Sequence, residues 1–153
     1  MTPGCDSEGG WSGARYGPLI AATRDEAAVL AANRAFYEAF EARDLDAMSD
    51  VWVRSERAVC THPGWGTLRG WAAISSSWFA LFHNAQPLQF ILTNEVVDIE
   101  GDTAWVTVDE NVIGDAIGGT VAALNVFVFD GERWRMVVHH GSPLAPTQGA
   151  DQA

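Results

Sequence analysis

Apolar residues recur at helical spacing in three stretches of the chain and alternate at strand spacing in five others. Val29, Ala32, Phe36, Ala39 and Phe40 mark a first helix. It opens where Thr23 and Glu26 stand at capping-box spacing, and it runs to about Ala42. Arg43-Asp44-Leu45-Asp46 reads as a break and a second cap, followed by a short helix that turns Leu45, Met48, Val51 and Trp52 inward. Trp71, Ile74, Trp78 and Leu81 predict a third helix from about Trp71 to His83. His83 at its C-terminal end suits the helix dipole.

Between the second and third helices, Arg57 to His62 forms a strand, stopped by Pro63-Gly64. Residues 65–70 are a loop or small hairpin. After the third helix the pattern becomes an antiparallel meander over roughly 88–98, 103–113, 119–129 and 133–140. Glu100-Gly101 and Asp130-Gly131 supply its hairpin turns. The order predicts one α+β domain over residues 21–142, a curved sheet packed by about three N-terminal helices. Residues 1–20, rich in Gly and Pro, read as a flexible arm, and residues 143–153 as a flexible tail.

Composition narrows the partners. The net charge is −11, lysine is absent and the nine positive charges are scattered arginines. Nucleic-acid binding needs a basic stripe against phosphates, and anionic membranes need the same, so neither is expected. Without lysine there is no Schiff-base chemistry. No apolar run is long enough to span a bilayer and no signal-peptide pattern opens the chain, which places it in the cytoplasm. Of the two cysteines, Cys5 lies in the arm and Cys60 in an apolar strand, where it reads as a small buried hydrophobe. No Gly-rich phosphate loop is present, so no cofactor is expected.

The layout, with Phe36-Tyr37-Glu38-Ala39-Phe40-Glu41-Ala42-Arg43-Asp44-Leu45-Asp46-Ala47-Met48 near its start, resembles the SnoaL-like and ketosteroid-isomerase-like families. The resemblance covers about residues 23–142. It implies a cone-shaped domain of the nuclear-transport-factor-2-like, cystatin-like kind, with an apolar small-molecule pocket at its open end. It also implies site residues. The isomerases carry an Asp base followed by Pro at the end of the first strand, and Thr61-His62-Pro63 puts His62 there. They carry an oxyanion-binding Asp in an Asp-x-Phe-x-Phe strand, and Asn125-Val126-Phe127-Val128-Phe129 puts Asn125 there. Their helix tyrosine, eight residues before the Asp of the helix break, is matched by Phe36, which cannot donate. Tyr37 lies about 100° further round the helix, away from that position.

His62 is the candidate general base, since a histidine is neutral near pH 7 and accepts a proton there. Asn125 interrupts an apolar strand and orients a ligand carbonyl or ties the sheet to a neighbour. A two-residue Asp130-Gly131 turn pairs Asn125 with Met136 and puts Trp134, Met136, Val138 and His140 on the Asn125 face. His140 is then the third catalytic candidate and His139 points away, unless a β-bulge reverses the two. Glu110 and Asn111 end the apolar run of the second meander strand. One of them faces inward and the pattern leaves open which; a strand end emerging into water is the simpler reading. Phe36, Phe40, Trp65, Trp78 and Phe127 are the candidate ligand-binding side chains. The histidine and carboxylate spacing matches no metal-ligand motif, so no metal is expected.

Two function classes fit. One is an enzyme of isomerase, cyclase or dehydratase type, moving a proton on an apolar carbonyl compound. The other is a non-catalytic binding or dimerisation module. A homodimer is predicted in either case. Phe127, Phe129, Trp134, Met136 and Val138 lie on one face of the last two strands, and Leu124, Val126, Val128 and Val137 on the other. Both faces need cover, so the outer one meets a second copy, with Arg133 and Arg135 toward the rim.

Overall fold

The structure, a computed structural model, describes residues 24–84, 86–114 and 118–146. The arm expected over 1–20 and most of the tail expected over 143–153 lie outside the described residues, as does Thr23. The first helix, α1 (Glu26–Ala42), is capped instead by Asp25, whose side chain accepts from the Ala28 N–H at 2.9 Å. It ends where Arg43 takes a left-handed conformation and its N–H bonds back into the last turn. Asp44 caps α2 (Leu45–Val51) in the same way as Asp25 caps α1. Then follow β1 (Val59–Thr61), β2 (Leu68–Arg69), α3 (Trp71–Asn84), β3 (Gln89–Glu100), β4 (Thr103–Ile113), β5 (Gly119–Phe129) and β6 (Trp134–Pro143). Among the described residues no helix is long and apolar enough to cross a membrane.

The strands form one mixed sheet in the order β2-β1-β6-β5-β4-β3. β1 runs parallel to β6, and the other pairs are antiparallel. This corrects the expected cone. The sheet is open: it ends on β2 at one side and β3 at the other, with no ladder joining them. The physical reason is strand length. β1 and β2 have three and two residues against twelve in β3, too few backbone groups to carry that edge round to the other.

The helices cover one face of the sheet. Val29, Phe36, Met48, Trp52, Ile74, Trp78, Val106, Phe127 and Met136 are fully buried between the two layers. Phe36 is the hub, with the rings of Tyr37, Phe40, Trp52, Trp78 and His139 around it at centroid distances of 4.7–6.4 Å. The opposite face is wet and apolar: Ile91, Val96, Ile113 and Leu124 are exposed there.

Two β-bulges decide which polar side chains enter the core. In β3, Asn94 and Glu95 occupy the step where β4 has Val108 alone. Asn94 takes φ +53°, which asparagine tolerates better than most residues. In β6 the register slips at Val137, because Val126 pairs with Val138 while Phe127 pairs with Met136. The β5–β6 turn is also longer than expected. Phe129 pairs with Trp134, and Asp130 caps the turn by accepting from the N–H groups of Glu132 and Arg133 at 2.9 Å each. The predicted Asn125–Met136 pairing is therefore corrected to Asn125–His139. Val138, opposite Val126, joins the outer face.

Candidate functional site

A run of polar side chains crosses the interface between α1 and the sheet. Val29, Asn33, Phe36 and Tyr37 are all buried on α1, a stripe at i, i+4, i+7 and i+8 that faces the strands. Asn33 donates to Glu95 Oε2 at 2.9 Å, which the β3 bulge has turned toward the helix. Asn125 Nδ2 donates to Asn33 Oδ1 at 2.8 Å and to the Tyr37 hydroxyl at 3.1 Å. The Tyr37 hydroxyl donates in turn to Glu110 Oε1 at 2.7 Å. On the other side of the amide, Asn125 Oδ1 stands 2.6 Å from His139 Nδ1.

The geometry assigns these protons. Asn125 Nδ2 has two acceptors, so its Oδ1 is the acceptor for His139, whose proton sits on Nδ1. Asn125 and His139 are fully or almost fully buried, and Glu110 is 4% exposed. Burial is the largest cause of the shifted titration of the ionisable members. The Glu110 carboxyl is pushed up to about 7, less than it would be without the Tyr37 hydrogen bond. Tyr37 is raised far above the usual phenol range by burial and by the Glu110 charge. His139 is lowered to about 3 by burial first, then by the other histidines.

His62 sits at the end of β1, buried, with its pKa lowered by burial to about 4. Its Nε2 lies 2.9 Å from Ser77 Oγ on α3. That hydroxyl donates to the Ile74 carbonyl at 2.6 Å, so Nε2 carries the proton and donates to it. Two tryptophan edges enclose the ring, Trp78 at 4.7 Å and the half-exposed Trp65 at 4.9 Å. Cys60 lies beside it, fully buried, its thiol pushed up to about 12 by burial and so inert.

The sequence-predicted residues therefore divide. Asn125 and His62 are both interior, in two clusters bridged by Phe36 and Trp78. Phe36, Trp78 and Phe127 are core, Phe40 packs against Trp78 at 4.9 Å, and Trp65 covers His62. His140 is corrected: it is exposed on the outer face, and the bulge at Val137 delivers His139 inward in its place. Glu110 does not emerge into water, whereas Asn111 is half-buried and bonds to Ile91 and Thr93 of β3. Asn33 was missed, and Tyr37 was noticed only as lying away from the isomerase tyrosine position. Their signal was helical spacing: both fall on the stripe begun by Val29.

Apolar grooves open beside these clusters. One of about 390 Å³ between α2 and α3 is lined by Leu45, Met48, Trp71, Trp78 and Phe79. Trp78 borders it and touches His62 with the same ring. Among the described residues no group of three or more His, Cys, Asp or Glu is placed to hold a metal ion.

A model of the SnoaL-like domain matches residues 29–146. The chain belongs to the SnoaL-like family. Among solved structures, this SnoaL-like domain is similar to a proposed dehydratase of the NTF2-like family from Streptomyces avermitilis. The two are 34% identical, with a TM-score of 0.74, over 78% of this chain and 95% of that one. It is also similar to a proposed calcium/calmodulin-dependent protein kinase type II association domain from Thiobacillus denitrificans. That pair is 40% identical, with a TM-score of 0.66, over 76% and 94% of the two chains. The F-box protein SKIP8 of Arabidopsis thaliana is 32% identical over 117 residues, which are 76% of this chain. The chain spans half the length of that curated relative.

Proposed function

We propose that this domain binds a small, largely apolar, oxygen-bearing molecule against the inner clusters and moves a proton on it. The carrying observation is Glu110, a carboxyl buried in an apolar interior, held by one tyrosine hydroxyl and titrating near neutrality. Such a group gives or takes a proton at working pH, as a general acid or base must. His62, neutral throughout that range, is a hydrogen-bond acceptor for the ligand and a weaker base than Glu110. Asn125 holds Tyr37 and His139 in place. A dehydratase named among the similar proteins is consistent with acid–base chemistry on this frame.

The test is a ligand-observed NMR screen with apolar ketones, alcohols and phenols, followed by a proton-exchange assay on each binder. Binding, together with exchange that Glu110→Gln abolishes, supports the reading. No binder across the panel overturns it.

A second reading rests on a different observation, the exposed Ile91, Val96, Ile113 and Leu124 on the outer sheet face. They favour a domain that associates with its own copy, and the similar association domain is consistent with this. The two readings use opposite faces of one sheet and are compatible.

A further inference from the structure

The arginines are scattered in sequence, yet the fold brings three of the nine to one groove. Arg54 and Arg57 reach it from the loop between α2 and β1, and Arg135 from β6. The groove has a volume of about 570 Å³, and Val53, Val128 and Phe129 are its apolar lining. None of His62, Glu110, Asn125 or His139 lines it, so it is separate from the interior clusters.

The charges in this groove do not cancel. Two acidic residues also line it, Asp102 and Asp130, and each already faces an arginine. Arg24 bonds to Asp102, and Arg135 bonds to Asp130 at 2.7 Å. Arg54 and Arg57 are left over: neither side chain forms a hydrogen bond or an ion pair with a described residue. The groove therefore presents two uncompensated positive charges on a chain whose net charge is −11. The loop that carries them is pinned on both sides. The Val53 N–H bonds to the Met136 carbonyl of β6 at 2.8 Å. The Ser55 and Ala58 carbonyls accept from Trp71 and Gly70, at the start of α3, at 3.1 and 2.8 Å. Its backbone is ordered before any ligand arrives, which lowers the entropic cost of binding.

We infer that this groove binds a small organic oxyanion, a carboxylate or phosphate monoester on an apolar body, through Arg54 and Arg57. A guanidinium offers its N–H donors in a planar fork that fits two oxygens of one carboxylate or phosphate. The apolar body covers Val53, Val128 and Phe129, which a bare inorganic ion leaves wet. The volume lies in the range of small-molecule sites. A nucleic acid fits poorly, because its further phosphates meet a surface that is acidic elsewhere. The site stands or falls independently of the proton-transfer reading.

Three matched probes test this: 2-naphthoate, 2-naphthyl phosphate and the neutral 2-naphthamide. Each is titrated calorimetrically into wild type, into the double variant Arg54→Gln/Arg57→Gln, and into Arg34→Gln. Arg34 is exposed on α1 and does not line the groove. At least one anion is expected to bind wild type about tenfold or more tighter than the amide. Added salt should weaken that binding, since both arginines are exposed. The double variant should lose about tenfold or more of the affinity, and Arg34→Gln should keep it. Whichever anion binds tighter identifies the head group. The amide binding as well as both anions overturns the inference, as does binding of none of the three. Equal weakening in Arg34→Gln also overturns it, because it shows a general charge effect. The comparison of anion with amide and the salt dependence use wild-type protein alone, so neither depends on a variant that folds.

Discussion

His139 donates its Nδ1 proton to Asn125 Oδ1 across 2.6 Å, joining two residues fourteen apart in sequence and both closed to solvent. That bond fixes the histidine tautomer, and through the amide it fixes the orientation of Asn33 and Tyr37 as well.

Replacing the amide by an isosteric apolar group tests the network. Asn125→Leu leaves the His139 N–H without an acceptor and takes a donor from both Asn33 and Tyr37. The cost of stranding buried polar groups is about 1–3 kcal/mol each. A loss of roughly 3 kcal/mol in urea unfolding is expected, with partial relief from repacking. A loss under about 0.5 kcal/mol means that the bonds contribute nothing.

Stability should depend on pH in a way that separates Glu110 from the histidines. His62 and His139 have folded pKa values of about 4 and about 3, below the ordinary 6.5. The unfolded chain therefore takes up their protons first, and stability is lost as pH falls below about 6.5. Glu110 works in the opposite sense. Its folded value of about 7 exceeds the ordinary 4.5, so stability is lost as pH rises between those values. Between pH 4.5 and 6.5 two histidines oppose one carboxyl. Thermal unfolding should show stability falling on acidification by about 1.4 kcal/mol per pH unit. In Glu110→Gln the fall should steepen, and stability at pH 8 should exceed that of wild type. An unchanged slope in that variant counts against a buried, titrating Glu110.

Much of the fold was legible because it follows from periodicity. The three helices and the long strands fall within a few residues of their expected places, since each buries one apolar face. The open sheet was not legible, because the shortness of β1 and β2 depends on tertiary pairing that local pattern does not carry. The site divides along the same line. His62 and Asn125 stand out as polar residues in apolar surroundings and both prove interior. Asn33 and Tyr37 do not stand out in a helix that is polar on its other face. The inward histidine was misassigned because one bulge and a longer turn, neither with a sequence signature, set the β6 register.

The aromatic hub gives a prediction about packing. Phe36→Ala removes the ring around which five others are arranged. A loss of about 3–5 kcal/mol is expected from denaturant unfolding. Phe36→Tyr is the more informative change. It restores the hydroxyl of the isomerase-like pattern at a position with no exposed surface, and overpacking should cost about 1–3 kcal/mol. A neutral or stabilising effect would show that the interior has unused room beside this ring.

Assembly is testable on the outer sheet face. Leu124 is 39% exposed and Val96 56%, on the side away from the helices, and half-buried Val126 lies between Trp105 and Val138 in the ladder. A two-fold pairing places each substitution on this face twice. Wild-type protein is expected to sediment as a dimer at micromolar concentration, and Val126→Asp as a monomer or as aggregates. A wild-type monomer removes the second functional reading.

Strand residues alternate, so β6 carries a parity: every position after Val137 is odd or even with respect to the core according to whether that residue is counted. Removing Val137 would leave Met136 opposite Phe127, Val138 opposite Val126 and His139 inward. Keeping it in a regular, unbulged strand would instead exchange the surroundings of His139 and His140 without altering either side chain. The dry tautomer-locked imidazole and the wet one are therefore distinguished by the bulge alone. When this domain is aligned with its relatives, the placement of a single gap in β6 decides which of two adjacent histidines inherits the interior role.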